Sequence, residues 1–306
     1  MKLPPFFSIP ALLLLLAALL AVNHTLAFAQ GPEWHIKKIA FEAFRRDLEG
    51  MHIDLYVVDG ANAKPKRLAE GTSPSWSPDG QTLAYCIHGA NGELQIMVSE
   101  GTTRRQLTDL KEGACPPVWS PNSKYIAFTA TGGKSGTIWI VGADGANPRA
   151  IIEGDVAGWS PDGTKLLFRR KDAKGRENGW IANTDGSNPQ MVFSDGSAII
   201  GMAWFPDGKS VVYSSERSGG KSDVFRVNVD GTHLEKFGSG NYQAMFSPVL
   251  SPDGKWLVVD AIEKSEAFKF MLTDGGGKLR REWFYGRHAS VVWERPDREQ
   301  NSGPSL

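Results

Sequence analysis

A short phrase returns five times at near-constant spacing and limits what this chain can fold into: Trp76-Ser77-Pro78-Asp79-Gly80, Trp119-Ser120-Pro121-Asn122, Trp159-Ser160-Pro161-Asp162-Gly163, Trp204-Phe205-Pro206-Asp207-Gly208 and Leu250-Ser251-Pro252-Asp253-Gly254. The copies stand 43, 40, 45 and 46 residues apart. A fixed period in this range marks a repeat architecture, in which one small unit cannot bury its apolar faces alone and stacks on its neighbours. Proline presets a backbone angle, Asp bonds its own backbone and Gly accepts positive φ, so each phrase reads as a tight reversal between two strands.

Four positions beyond each Asp or Asn comes an apolar triplet: Leu83-Ala84-Tyr85, Ile126-Ala127-Phe128, Leu166-Leu167-Phe168, Val211-Val212-Tyr213 and Leu257-Val258-Val259. Such runs suit strands buried on both faces. A second set of turns follows, at Asp59-Gly60, Glu100-Gly101, Asp144-Gly145, Asp185-Gly186, Asp230-Gly231 and Asp274-Gly275, each led by a further strand-like segment and followed by a short polar run rich in Lys and Arg. Basic residues on an outermost strand discourage edge-to-edge pairing. Each unit is therefore four strands, A to D, and four-stranded units at this period make a propeller.

The chain ends supply one more unit. Ile39-Ala40-Phe41 is a triplet with no phrase before it, and Val291-Val292-Trp293-Glu294-Arg295-Pro296-Asp297 resembles a phrase with nothing after it. The expected fold is an all-β, six-bladed β-propeller of four-stranded blades, closed by the C-terminal strand pairing with the N-terminal strands, with Trp293 as the sixth anchor. The residues before the anchors, Ser75, Val118, Gly158, Ala203, Val249 and Val292, are small or β-branched and suit six inner strands converging on an axis.

At 306 residues with 41% hydrophobic content, one large all-β domain accounts for the chain. Residues 1–29 combine Lys2, an apolar run from about Ile9 to Val22 and Ala27-Phe28-Ala29, the pattern of a signal peptide cut after Ala29. The expected domains are signal peptide 1–29, propeller 30–297 and a polar tail 298–306, in a periplasmic or secreted protein. The chain holds 34 Lys plus Arg against 34 Asp plus Glu, and cleavage removes Lys2 and no acid. Near-neutrality argues against nucleic acid or an anionic membrane surface as the main partner. Cys86 and Cys115 are the two cysteines, both near one rim, and either a disulfide or two separate buried thiols fits the sequence.

The whole pattern, from Ile39 to about Asp297, resembles the TolB-type β-propeller repeat. The resemblance implies a periplasmic, non-catalytic propeller that contacts protein partners, as in the Tol–Pal envelope system, monomeric and without a cofactor. TolB proteins also carry an α/β domain before the propeller, and Gln30 to Lys38 are too few for one, so the full TolB role is not implied. Related blades occur in prolyl oligopeptidase-like peptidases, with the chemistry in a separate hydrolase domain, and in oligogalacturonate lyases.

Loops from B to C and connectors from D to the next A emerge on one face, the default binding surface of a rigid scaffold. Its candidate protein-binding residues are Arg45, Arg46, His88, Lys134, Arg170, Lys171, Arg217, Lys221 and Tyr242. His52, His88 and His288, the last in the connector entering the first blade, fall in one sector of it, which raises a metal-assisted carbohydrate-active enzyme as the rival to the scaffold, against hydrogen-bonded surface histidines as the plain reading. No Gly-x-Ser-x-Gly elbow, phosphate loop, His-Glu-x-x-His or Cys-x-x-Cys is present. Turn formation explains the repeated Asp, and blade packing the repeated Trp.

Overall fold

The computed structural model describes residues 35–294, apart from 48–49, 61–62, 91, 131, 133–135, 195, 218–220, 238–243, 263–267, 275–278 and 286. The expected signal segment and the polar tail lie outside these residues. Among the described residues no helix is long and apolar enough to cross a membrane.

The repeated phrase folds as its chemistry dictates. In Ser77-Pro-Asp-Gly the Ser77 hydroxyl donates to Asp79 Oδ1 at 2.6 Å and accepts the Thr82 N–H at 2.9 Å, while Asp79 Oδ1 accepts the Gln81 N–H at 3.0 Å. The same arrangement recurs at Ser120/Asn122, Ser160/Asp162 and Ser251/Asp253. Asn122 is followed by Ser123 at φ 57°, where three of the other copies have Gly at φ 69–72°. The fourth turn lacks the serine. There Arg226 lies 3.9 Å from the Phe205 ring centre, donates to Ser210 Oγ and reaches Asp207 Oδ2 at 3.1 Å, so a guanidinium does the tying that a hydroxyl does elsewhere.

The strands pair antiparallel into six four-stranded sheets, and the molecule is an all-β propeller of four-stranded blades. Blade 1 holds β1 (His35–Asp47), β2 (Gly50–Asp59) and β3 (Lys66–Glu70). Blade 2 follows with β4 (Thr72–Trp76), β5 (Thr82–His88), β6 (Leu94–Glu100) and β7 (Thr103–Gln106), and blade 3 with β8 (Val118–Trp119), β9 (Tyr125–Ala130), β10 (Thr137–Gly142) and β11 (Arg149–Glu153). Blade 4 comprises β12 (Asp155–Trp159), β13 (Lys165–Lys171), β14 (Glu177–Asn183) and β15 (Gln190–Phe193). In blade 5 stand β16 (Ile199–Trp204), β17 (Ser210–Arg217), β18 (Lys221–Asn228) and β19 (Glu235–Lys236), and in blade 6 β20 (Ala244–Leu250), β21 (Trp256–Ile262), β22 (Phe268–Asp274) and β23 (Leu279–Tyr285). The last strand, β24 (Arg287–Glu294), pairs with β1, giving the order β24-β1-β2-β3.

The core lies between blades. Leu55, Leu83, Tyr85, Ile126, Phe128, Leu166, Phe168 and Tyr213 are fully buried, each drawn from a strand B triplet or its neighbouring strand. The repeated Trp reaches the preceding blade: Trp119 Nε1 donates to Ser75 O and Trp159 Nε1 to Val118 O, each at 3.0 Å.

Register corrects one expectation. Trp76 stands opposite Leu83, Trp119 opposite Ile126, Trp159 opposite Leu166, Trp204 opposite Val211 and Leu250 opposite Leu257. In blade 1 the partner of Ile39 is Val291, not Trp293, which faces Ile36. The small residue before the anchor is therefore Ser290 rather than Val292, and its hydroxyl accepts the Trp76 N–H at 2.8 Å. Val292 packs elsewhere, with a methyl 3.0 Å from where a Cβ on Gly80 would sit.

Candidate functional site

The loop face is built around one repeated position, the residue that follows each strand B triplet: Glu42, Cys86, Thr129, Arg169, Ser214 and Asp260. Five of these six side chains cross to the next blade, four to its inner strand and Cys86 to the connector ahead of it. Glu42 Oε1 accepts the Thr72 hydroxyl and the Ser73 N–H. Cys86 is bonded to Cys115, with Cα atoms 6.1 Å apart, which settles the two readings of the cysteines in favour of the disulfide. Thr129 Oγ1 accepts the Val156 N–H at 3.0 Å, Arg169 donates to Ile199 O at 2.5 Å, and Asp260 Oδ2 accepts the His288 N–H at 2.7 Å. Ser214 stays within its own blade, at 3.5 Å from Gly201 O.

The carboxylates at these positions, Glu42 and Asp260, are buried. Burial pushes the Glu42 carboxyl up, but His288 at 3.0 Å, the Ser73 N–H and the Thr72 hydroxyl outweigh it and hold the group below its ordinary value. Asp54, fully buried on β2, follows the same logic: burial raises it, and Arg67 and Arg45, each at 2.8 Å, bring it below the usual range. None of these acids forms part of a repeated phrase, which is why reading the phrases did not find them. The available signal was an acid directly behind a triplet, as in Ile39-Ala-Phe-Glu42 and Leu257-Val-Val-Asp260.

The three histidines take separate partners. His52 Nδ1 lies 3.3 Å from Glu70 Oε2 across β2 and β3, and His88 Nδ1 is 2.9 Å from Gly92 O in its own loop. His288 lies on β24 rather than in a connector, with its side chain on Glu42. Among the described residues no group of three or more His, Cys, Asp or Glu side chains is placed to hold a metal.

Of the residues assigned to a protein-binding face, Arg45 is engaged by Asp54, Arg170 lies 3.9 Å from the Trp180 ring centre, and Lys171 and His88 are exposed. Arg46 stands opposite Met51 and Arg217 opposite Lys221 at the loop ends of two hairpins. Lys134 and Tyr242 lie outside the described residues. The sequence reading passed over the apolar part of the same hairpin: Phe44 is 50% and Met51 60% exposed, on β1 and β2 beside Arg45 and His52. A cavity of about 310 Å³ between blades 2 and 3 opens on the opposite, turn-bearing side, where Asp79 is tied into its turn and Arg105 donates to Ala143 O and Asp144 O.

Four-stranded antiparallel sheets with inward Trp anchors and a loop-bearing rim define a β-propeller. Within that class a family model described as TolB beta propeller domain matches residues 88–281, and the chain belongs to that family. The crystal structure of TolB from Acinetobacter baumannii aligns with a TM-score of 0.69 at 20% identity, covering 84% of this chain and 66% of that one, a likeness of fold. Two curated relatives are peptidases. An uncharacterized peptidase, YuxL, of Bacillus subtilis is 34% identical over 113 residues, 36% of this chain and 16% of its own length. Dipeptidyl-peptidase 5 of Porphyromonas endodontalis is 32% identical over 82 residues, 25% of this chain and 12% of its own. The chain thus spans under a fifth of the length of either.

Proposed function

We propose that this chain is an exported TolB-like propeller that serves as a non-catalytic protein-interaction scaffold in the cell envelope, its six sheets closing into a six-bladed ring through β24. Residues 1–29 act as its signal peptide, and its partner is an envelope or secreted protein, such as a component of a Tol–Pal-like system. The observation that carries the reading is the pairing on the loop face. Its buried carboxylates are spent inside the ring, Asp54 within blade 1 and Glu42 and Asp260 between blades, while Phe44 and Met51 stand exposed at a hairpin end, and exposed large apolar side chains beside arginines are what interface anchors are made of. The test is capture of envelope proteins with the intact chain and with a Phe44→Ala/Met51→Ala variant. One specific partner, lost by at least about tenfold in affinity in the variant, is expected. Equal capture by both proteins, or turnover of a polysaccharide by the purified chain, rejects the proposal.

A second reading rests on the two peptidase relatives. In it the chain is the propeller element of a peptide-hydrolysing assembly, and its loop face meets a hydrolase. Peptide hydrolysis that appears only when the captured partner is added back favours this reading over a purely structural scaffold. The carbohydrate-active alternative rested on His52, His88 and His288, whose separate partners give it no geometric support.

A further inference from the structure

We infer that β24 is a strap and that His288 is its clasp, a single residue that ties both seams of blade 1. Each of the other five inner strands runs on through a turn into the second strand of its own blade. The strand β24 instead joins its own sheet only by hydrogen bonds to β1, and it touches β4 of blade 2 as well as β20, β21 and β22 of blade 6.

His288 acts in both directions. Its backbone N–H goes to Asp260 of blade 6 at 2.7 Å, and its Nδ1–H goes to Glu42 of blade 1 at 3.0 Å, the same Oε1 that receives Thr72 and Ser73 of blade 2. The residue is held at φ 52°, as is Ser73, its counterpart three positions before the anchor in blade 2. A left-handed residue that is not glycine persists only where its surroundings determine it. The seam from blade 3 to blade 4 uses one neutral hydrogen bond at the corresponding position, from the Val156 N–H to Thr129, and the seam from blade 2 to blade 3 uses the disulfide. Only at blade 1 do two buried carboxylates converge on one residue among the described contacts. Releasing His288 therefore unties the 6–1 and 1–2 seams together, and the ring opens there first.

The experiment is amide exchange, read by mass, on the full chain. Asn accepts the left-handed conformation but is too short to keep the imidazole contact, so His288→Asn isolates the clasp from the backbone requirement. Exchange at 287–294 and 72–76 should quicken by about tenfold or more, the weight of a hydrogen bond to a charged partner, with 137–142 unchanged. Thr129→Val should instead loosen 155–159 and leave 287–294 alone. An equal rise in all blades, or none, overturns the inference. Should His288→Asn fail to fold, the native chain in sub-denaturing urea decides: 287–294 and 72–76 opening together ahead of 137–142 supports the strap, and simultaneous opening of every blade overturns it.

Discussion

Two glycines at matching turn positions separate conformational strain from collision. Gly208 and Gly254 have φ of 67° and 69°, yet a Cβ on Gly208 meets nothing within 4 Å while one on Gly254 lies 2.6 Å from the Phe205 ring. That ring has little room to retreat, with Arg226 over it and Phe237 edge-on at 6.0 Å. Gly208→Ala should cost about 1–2 kcal/mol for the left-handed backbone, and Gly254→Ala should cost a further ~1–3 kcal/mol of overpacking. Urea unfolding of the two variants reads the difference. Asp54 gives the pH prediction. Its folded value lies below the usual aspartate range because Arg67 and Arg45 overcome its burial, so its contribution is fully present above that range and is lost as pH falls through the lowered value. Between pH 7 and pH 3 the Asp54→Asn variant should lose less stability than the native chain, by up to about 1 kcal/mol, and parallel pH profiles would contradict this.

Strand by strand, much of the molecule was legible. The period, the triplets and the turn residues each set a backbone requirement within a few neighbouring residues, and the described blades match them. Two features escaped that reading, for physical reasons. Trp293 imitates the anchor phrase, but the pairing with β1 sets it opposite Ile36, and after a one-residue β-bulge between Ile36 and Lys38 it is Val291 that stands opposite Ile39. The staple residues were invisible because their partners lie a blade away, so Glu42, Thr129 and Asp260 look like unrelated residue types at one position. The staple at Cys86 carries its own prediction. Blade 3 has an inner strand of two residues, Val118–Trp119, and the connector before it is held by the bond to Cys115 and by the Gln95 side chain to Leu110 and Thr108. A bridge across 29 residues is worth about 3–4 kcal/mol in the unfolded-chain account. Replacing both cysteines by Ala should lower stability by that amount in urea unfolding and quicken exchange at 107–117, with Gln95 preventing loss of the blade.

For the whole molecule, the legible part was the fold, because repetition multiplies a weak local signal, and the opaque part was the site. The histidines converge in sector but not in partners, and the exposed hairpin apolars follow no repeat. What the loop face presents depends on the ring being complete, since an open ring would separate Glu42 from Asp260 and release the strand that carries His288. Completion rests on the pairing of two segments some 250 residues apart in sequence, Ile39 with Val291. Cysteines at directly opposed strand positions are within bonding reach. The most direct measurement is therefore oxidative cross-linking of Ile39→Cys/Val291→Cys beside Ile39→Cys/Trp293→Cys, scored by non-reducing electrophoresis and mass. The first pair should bridge within one chain and the second should not. Bridging of the second pair alone, or of neither in folded protein, would contradict the closed propeller proposed for this chain.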